Sequence, residues 1–402
     1  MLDGKILRDA VGKYEKDMIA FARDLVAIPG FSTTEEKVAK RIAQEMRKVG
    51  FDSVKFDKMG NVIGTLGNGK KKIMYDAHID TVGVGDPKAW KWDPFKGKFE
   101  KGMIYGRGAT DQKLSMVSMV YGAKLIKELR LEGGYTYIAV GSCMEEDCDG
   151  LPLLHLIQKE KLKPDYVVLT EPTNLQVYRG HRGRMEMKVV TKGRSCHASA
   201  PERGDNAVVK MSYIIQEITK LNEKLKNDKF LGKGTVAVTA IECKTPSYNA
   251  VPDECTIYLD RRMTVGETVD TSVKEIQALP AVKKFGAKVE VLQYEATAWT
   301  GLKVGQEKYF PTWVLPESHE LVSSALKTAE LVHAKKQTAS KWVFSTNGVA
   351  TAGRLKIPTI GFGPSNEIYA HTVNEQMAVE DLLKAAIFYA ALPQYLVVER
   401  AK

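Results

Sequence analysis

Cysteine is scarce in this chain: five occur in 402 residues, an odd number with no CxxC pair, which argues against a disulfide framework and for free thiols in a reducing compartment. Long apolar runs are missing as well. No stretch approaches about 18 uninterrupted apolar residues, and the opening MLDGKILRDAVGKYEKD lacks the apolar centre of a secretory signal, so the expectation is a cytoplasmic protein that does not enter a membrane. Low-complexity tracts and internal repeats are absent. The net charge of +10 comes from scattered lysines, as in GKKKI and QKEKLKP, without a helix-turn-helix, RNP or zinc-finger pattern. Attraction for anionic substrates is therefore expected, and nucleic-acid binding is not.

What is present points to an enzyme of more than one domain. A chain of 402 residues exceeds the roughly 250 to 300 residues at which single cores stop growing. Apolar residues at helical spacing (Ile6, Val11, Tyr14, Met18, Phe21, Leu25) predict one helix over 5–28. STTEEKVAKRIAQEMRKVG predicts a second, with Ser32 to Glu35 or Thr33 to Glu36 as a capping box and Gly50 as its C-terminal cap. The segments SVKFD, NVIGTLG, KKIMYDAHID, YTYIAVGS and DYVVLTEPT then read as strands, with helices at SMVSMVYGAKLIKEL and LPLLHLIQKEKL. This alternation of near-continuous apolar strands with helices predicts an α/β fold, a mainly parallel sheet with helices on both faces.

From about residue 184 the strands instead alternate polar and apolar, as in RMEMKVVTKG and CTIYLDRRM, in the order β-α-β-β-α-β. The expected organisation is a catalytic domain from residues 1–183 and 299–402, split by an inserted α+β domain over 184–298.

Strand ends carry the chemistry. IMYDAHID ends on His78 and Asp80, YIAVGSCMEE on Glu145 and Glu146, and YVVLTEP on Glu171, while Asp111 follows a glycine-containing loop and His371 lies in a loop after TIGFG. In open α/β sheets ligands collect at the carboxyl ends of strands. Two histidines and several carboxylates gathered there form a donor set suited to divalent metals of the zinc type, and a buried group of carboxylates needs a compensating cation.

The stretches HIDTV, IYGRGATDQK, MEED, LTEPT, CHASAPERGDNAV, NAVPDECTIYLDRR and GPSNEIYAHTVNEQMAVEDL, in that order over nearly the whole chain, resemble the ArgE/DapE/aminoacylase/glutamate carboxypeptidase family of dinuclear zinc hydrolases, most of all its selenium-metabolism-linked, YgeY-like branch. The resemblance implies that His78 and Glu171 hold one metal ion, Glu146 and His371 a second, and Asp111 bridges them, with Asp80 orienting the His78 ring. It makes Glu145 the general base that takes a proton from the attacking water. It also implies two divalent ions, zinc with manganese or cobalt tolerated, and a homodimer through the inserted domain, in which His197 reaches into the partner's site to stabilise the oxyanion. Arg262 and Asn249 match substrate-binding positions, the arginine suited to a carboxylate. Asn347, in STNG, falls in the loop that helps hold the substrate's carboxylate end, where relatives carry an acidic residue.

The expected reaction is hydrolysis of the amide of a small N-acyl amino-acid derivative. Dipeptide or carboxypeptidase cleavage and release of an N-carbamoyl group are the alternatives within the class, and a metal-binding protein without turnover is the rival outside it. Cys143 and Cys148 fit no zinc spacing, and His155, His319 and His333 read as packing or surface residues. His181 sits near the domain junction, where nothing in the sequence supports a hinge or substrate contact, and Arg261 reads as a solvated strand residue.

Overall fold

The computed structural model describes residues 2–398. Two helices, α1 (Gly4–Gly12) and α2 (Glu15–Ala27), stand where the periodicity predicts one. Gly12 is a poor helix former at the break, and the next two residues turn towards one carboxylate: Lys13 Nζ lies 2.9 Å from Glu128, and the Tyr14 hydroxyl donates to the same side chain. Helix α3 (Glu36–Val49) ends on Gly50 at φ 92°, as expected. Its capping box does not form. Ser32 Oγ donates to Asp80 instead, and Glu35 Oε1 accepts the N–H groups of Thr33 and Met144.

Strands β1 (Ser53–Phe56), β2 (Val62–Leu66) and β3 (Lys71–His78) follow, then α4 (Ser115–Glu128), β4 (Tyr135–Ser142), α5 (Leu151–Gln158), β5 (Tyr166–Leu169) and β6 (Tyr178–His181). One residue, Arg182, separates β6 from β7 (Gly183–Lys192) in a second sheet. That sheet continues through α6 (Ala207–Lys224), β8 (Thr235–Lys244), β9 (Glu254–Met263), α7 (Val269–Gln277), α8 (Pro280–Phe285) and β10 (Lys288–Val291). Its antiparallel order is β8-β9-β7-β10. Alternate residues of β7 and β9, among them Met185, Met187, Ile257 and Leu259, share a core with Met211, Ile214 and Ile218 of α6.

The return is less simple than a single crossing at 298. The hairpin of β11 (Gln293–Thr297) and β12 (Lys303–Glu307) packs on the first core through Tyr294, Trp299, Leu302 and Val304. Tyr309–Phe310 then pairs back onto β7.

Helix α9 (Glu320–His333), β13 (Thr359–Gly361) and α10 (Val379–Pro393) complete the first sheet and its cover. The strand order is β1-β2-β4-β3-β5-β13-β6. The four central strands β4, β3, β5 and β13 run parallel, and antiparallel neighbours flank them. Alternation along β3 places Ile73, Tyr75 and Ala77 in the core built with α2, α4 and α10, and Met74 in the core with Leu153 and Leu156 of α5. Helices thus cover both faces, as near-continuous apolar strands require. No described helix is long and apolar enough to cross a membrane.

One expectation is corrected here. Arg261 is not solvated: it is 1% exposed and pairs with Glu267 and Glu275. On β9 it falls in phase with Cys255, Ile257 and Leu259, so the period of two carries it to the core face. His181, at the end of β6 beside the junction with β7, is fully buried against Trp313 and Trp342. Its Nδ1–H donates to the Arg182 carbonyl at 2.8 Å, and its Nε2 accepts from Trp313 Nε1–H at 2.8 Å and the Thr346 N–H at 3.2 Å. Burial holds this imidazole neutral, with its pKa pushed down to about 4. Between about pH 6.5 and about pH 4 the unfolded chain therefore takes a proton that the folded chain refuses, so stability falls as pH falls through that window, by a total of about 3 kcal/mol from this group. Denaturant titrations of the wild type and His181→Gln should show a smaller loss across that range in the variant; equal losses would remove His181 as the source.

Candidate dinuclear metal centre

The parallel order β4-β3-β5 brings three strand ends to one rim: His78 closes β3 opposite Ser142 of β4, and Asp76 lies opposite Leu169 of β5. The chain continues from Ser142 to Glu145 and Glu146, and from Leu169 to Glu171, so all three strands deliver side chains to the same place. Asp111 comes from a loop pinned from below, where Glu375 Oε1 accepts the Thr110 and Asp111 N–H groups at 3.0 and 2.9 Å and its other oxygen lies 2.6 Å from Arg107. Four residues before Glu375, His371 adopts φ 59° and approaches from the opposite side.

The resulting spacings are those of a shared coordination site. His78 Nε2 lies 2.9 Å from Asp111 Oδ1, 3.7 Å from Glu171 and 4.0 Å from Glu145. His371 Nε2 lies 3.1 Å from both Asp111 Oδ2 and Glu146 Oε2. Donor atoms around a tetrahedral zinc ion, bonded at roughly 2.0 to 2.2 Å, are separated by about 3.4 Å. Two donor groups meet the clustering required of a cation site: His78 with Glu145 and Glu171, and His78 with Asp111 and Glu146. Asp111 is the carboxylate whose two oxygens face two different histidines.

Electrostatics point the same way. Burial opposes a charge on His78, yet Glu171, Asp111, Asp80 and Glu145 together hold its pKa well above the ordinary value. Hydrogen bonds to Asp111 and Glu146 push His371 up to about 10. Burial drives Glu145, Glu146 and Glu171 upward, and neighbouring carboxylates add to it. Asp111, against its own burial, is held below the usual carboxylate range by the two imidazoles. Glu146 Oε1 is buried with no hydrogen-bond partner among the described residues, as a donor atom awaiting a cation would be. The donor set fits divalent cations.

Asp80 sits behind this group in a different manner from that expected. The His78 Nδ1–H donates chiefly to its main-chain carbonyl at 3.0 Å, with the carboxylate 3.5 Å away. That carboxylate accepts the N–H groups of Glu145 and Glu146 at 3.2 and 3.1 Å.

A cleft of about 370 Å³ opens over the group, and its further wall carries Arg184, Arg262, Asp149, Phe344 and Ser345. Arg262 is therefore in the cleft, its Nε and Nη2 already engaged by Asp260 at 2.7 and 3.0 Å. Ser345 opens the STNG loop expected at the substrate's carboxylate end, whereas Arg184 and Asp149 carry no motif signal. Arg184 Nη2 lies 2.8 Å from Asp149, which also accepts from Ser345.

Asn347 does not line the cleft. It is 2% exposed, its amide donates to Asp76 and Ser142 at 2.9 and 3.0 Å, and its oxygen accepts the Gly150 N–H at 2.7 Å, so the expected substrate contact gives way to a buried brace. His197 and Asn249 lie together on the inserted domain, where the Ala198 N–H bonds the Asn249 carbonyl at 2.8 Å, and neither lines this cleft. His197 is exposed, with Nδ1 2.7 Å from Ser199 Oγ.

A model of Peptidase family M20/M25/M40 matches residues 74–395. The protein YgeY of Escherichia coli (strain K12) is 48% identical over 389 residues, covering 97% of this chain and 96% of its own. A succinyl-diaminopimelate desuccinylase of Ehrlichia canis (strain Jake) is 26% identical over 397 residues, with 93% and 96% covered. Among solved structures, the YXEP protein of Bacillus subtilis, a dinuclear metal binding peptidase from the M20 family, matches with a TM-score of 0.70 at 16% identity across 96% of this chain and 99% of that one.

Because cations must displace the protons on His78 and His371, titrating chelator-treated protein with Zn²⁺ or Mn²⁺ should release protons, and the apparent affinity should rise from about pH 6 to about pH 8. Calorimetry in buffers of different ionisation enthalpy reads this directly. Uptake without proton release would place the ions elsewhere.

Proposed function

The chain belongs to peptidase family M20/M25/M40, hydrolases of amide bonds, and on that premise we propose that it is a deacylase of small N-acyl amino-acid derivatives working with two divalent ions, zinc by preference of the nitrogen and oxygen donors. The observation that carries this reading is the convergence of His78, Asp111, Glu146, Glu171 and His371 beside a buried carboxylate, Glu145, which we assign to proton transfer rather than to metal binding. Bound divalent ions supply acidity to water and polarise a carbonyl oxygen.

The chain's own groups do the rest. Burial raises the proton affinity of Glu145, which suits it to take a proton from the attacking water and hand it to the departing amine. Arg262 offers the substrate's carboxylate the Nη1 side of its guanidinium, since Asp260 takes the other edge. The desuccinylase relative favours an acyl group that itself carries charge. A dipeptide or an N-carbamoyl amino acid would engage the same groups and makes up the second reading.

We further propose a cytoplasmic homodimer formed through the inserted domain, with His197 and Asn249 completing the partner's site. Three features support it: both residues lie on the insertion away from their own cleft, strand β8 leaves an edge with Ile241 54% exposed, and α6 exposes Val209 and Tyr213 at 51% and 53%. In the partner's site His197 would donate to the developing oxyanion.

Protein reconstituted with zinc or manganese should release amine from one class among N-acetyl, N-succinyl, N-carbamoyl and dipeptide substrates, and Glu145→Ala should keep its metal while losing about 10²- to 10⁴-fold in kcat. Cleavage that survives in this variant would take Glu145 out of the reaction. If His197 acts across the dimer, Glu145→Ala and His197→Ala are each nearly inactive alone, but mixed and allowed to exchange subunits they should recover activity. No recovery, with exchange verified by native mass spectrometry, would place His197 outside the chemistry.

A further inference from the structure

Glu145 and Glu146 are carried by one turn, and its three successive backbone N–H groups end on carboxylate oxygens. Met144 N–H donates to Glu35 Oε1 at 2.9 Å, Glu145 N–H to Asp80 Oδ1 at 3.2 Å, and Glu146 N–H to Asp80 Oδ2 at 3.1 Å. Met144 itself is held at φ 59°, the left-handed region that a side chain resists. Such a conformation costs about 1 to 3 kcal/mol and persists only where the surroundings over-determine it.

Glu35 does nothing comparable for its own helix. It occupies the N-cap position of α3, yet no side chain caps that helix. It is 0% exposed, its Oε1 also takes the Thr33 N–H at 3.0 Å, and its Oε2 is buried without a partner. Among the described residues, a carboxylate buried at that cost makes one long-range hydrogen bond, to the Met144 N–H, 109 residues away in the chain. The same segment reaches the other clamp as well, through Ser32 Oγ, 2.6 Å from Asp80 Oδ2.

We propose that Glu35 is a positioning residue for the reaction, gripping the Met144 N–H so that the strained turn aims Glu145 at the water and Glu146 at its metal ion. This rests on the reading of Glu145 as base and Glu146 as ligand. The grip is a hydrogen bond to an acceptor and needs no charge, so glutamine, which keeps one carbonyl oxygen in place, performs it.

The test compares Glu35→Ala, Glu35→Gln and wild type by kcat and KM, by hydrogen exchange of the Met144–Glu146 amides, and by calorimetric titration with zinc alone. Loss of a group supporting metal-site residues costs about 10- to 100-fold. Glu35→Ala should lose that much in kcat with KM changed by less than about twofold, exchange these amides faster and bind zinc more weakly, while Glu35→Gln stays near wild type in all three. Glu35→Ala with wild-type kcat, unchanged amide protection, or a glutamine variant as impaired as alanine would each overturn the proposal. Should the alanine variant fail to fold, Glu35→Asp, which withdraws the acceptor by one methylene, carries the same comparison. If the wild type cleaves no amide, the deacylase reading fails on its own, and Glu35 is then judged by zinc affinity and amide exchange: unchanged values in Glu35→Ala refute it.

Discussion

Asp111, Glu145, Glu146 and Glu171 meet at one end of a sheet, at most partly exposed and within a few ångströms of two imidazoles. Like charges in so small a space repel, and burial adds an effective penalty of several kcal/mol for each ion. Only concentrated positive charge reverses the sign, and the rest of the catalytic portion can be understood as the means of holding that arrangement in place. The parallel centre of the sheet sends three strand ends to one rim. A second tier of acids, Glu35, Asp80 and Glu375, then faces inward to seize the backbone N–H groups of the loops that bear the first tier. Acids thus serve twice, once as donors towards a cation and once as anchors for main chain.

The turn at Met144–Gly150 shows how densely those anchors are placed. Beyond Glu35 and Asp80, it is reached by Tyr294 on Asp147, by Gln306 on the Asp149 carbonyl, by Arg184 and Ser345 on Asp149, and by Asn347 on the Gly150 N–H. Tyr294 and Gln306 come from the hairpin that follows the inserted sheet, and Arg184 from its first strand. The loop that bears Glu145 and Glu146 is therefore also a meeting point of both sheets, which gives the second sheet a physical route to these carboxylates.

How far the chain could be read before folding follows from the same distinction. His78, Glu145 and Glu171 were visible because apolar strands announce where they end, and in a parallel sheet those ends share a rim. Asp111 and His371 sit in loops with no period: their place after a glycine-containing loop and after TIGFG put them among the candidate donors, and the resemblance to a known family supplied the role of each. Glu35 was legible only as one end of a capping box that does not form, and Glu375 left no trace: both bind main-chain groups far along the chain, and no spacing rule encodes such a partner. Asn347 misled because a motif position suggested contact with substrate, whereas its amide completes a buried network with Asp76 and Ser142. Arg261 and Arg262 show the opposite failure, since the period of two along β9 separates them correctly and charge alone obscured it.

The pairing of Thr359–Gly361 with Val167–Leu169 joins segments separated by the whole of the inserted sheet. During synthesis β7 through β10 can close on their own core while the first sheet still lacks β13 and its covering helix α10. Domains that emerge complete generally fold as units, and non-local parallel pairing is slow. The order of birth is thus inverted relative to the order of sequence: the insertion matures first, and the older-numbered half waits, with the edge of β5 exposed, for the last third of the chain. His371 arrives in that final segment, so the proposed cation site has its full set of donors only after the last strand of the first sheet has been made.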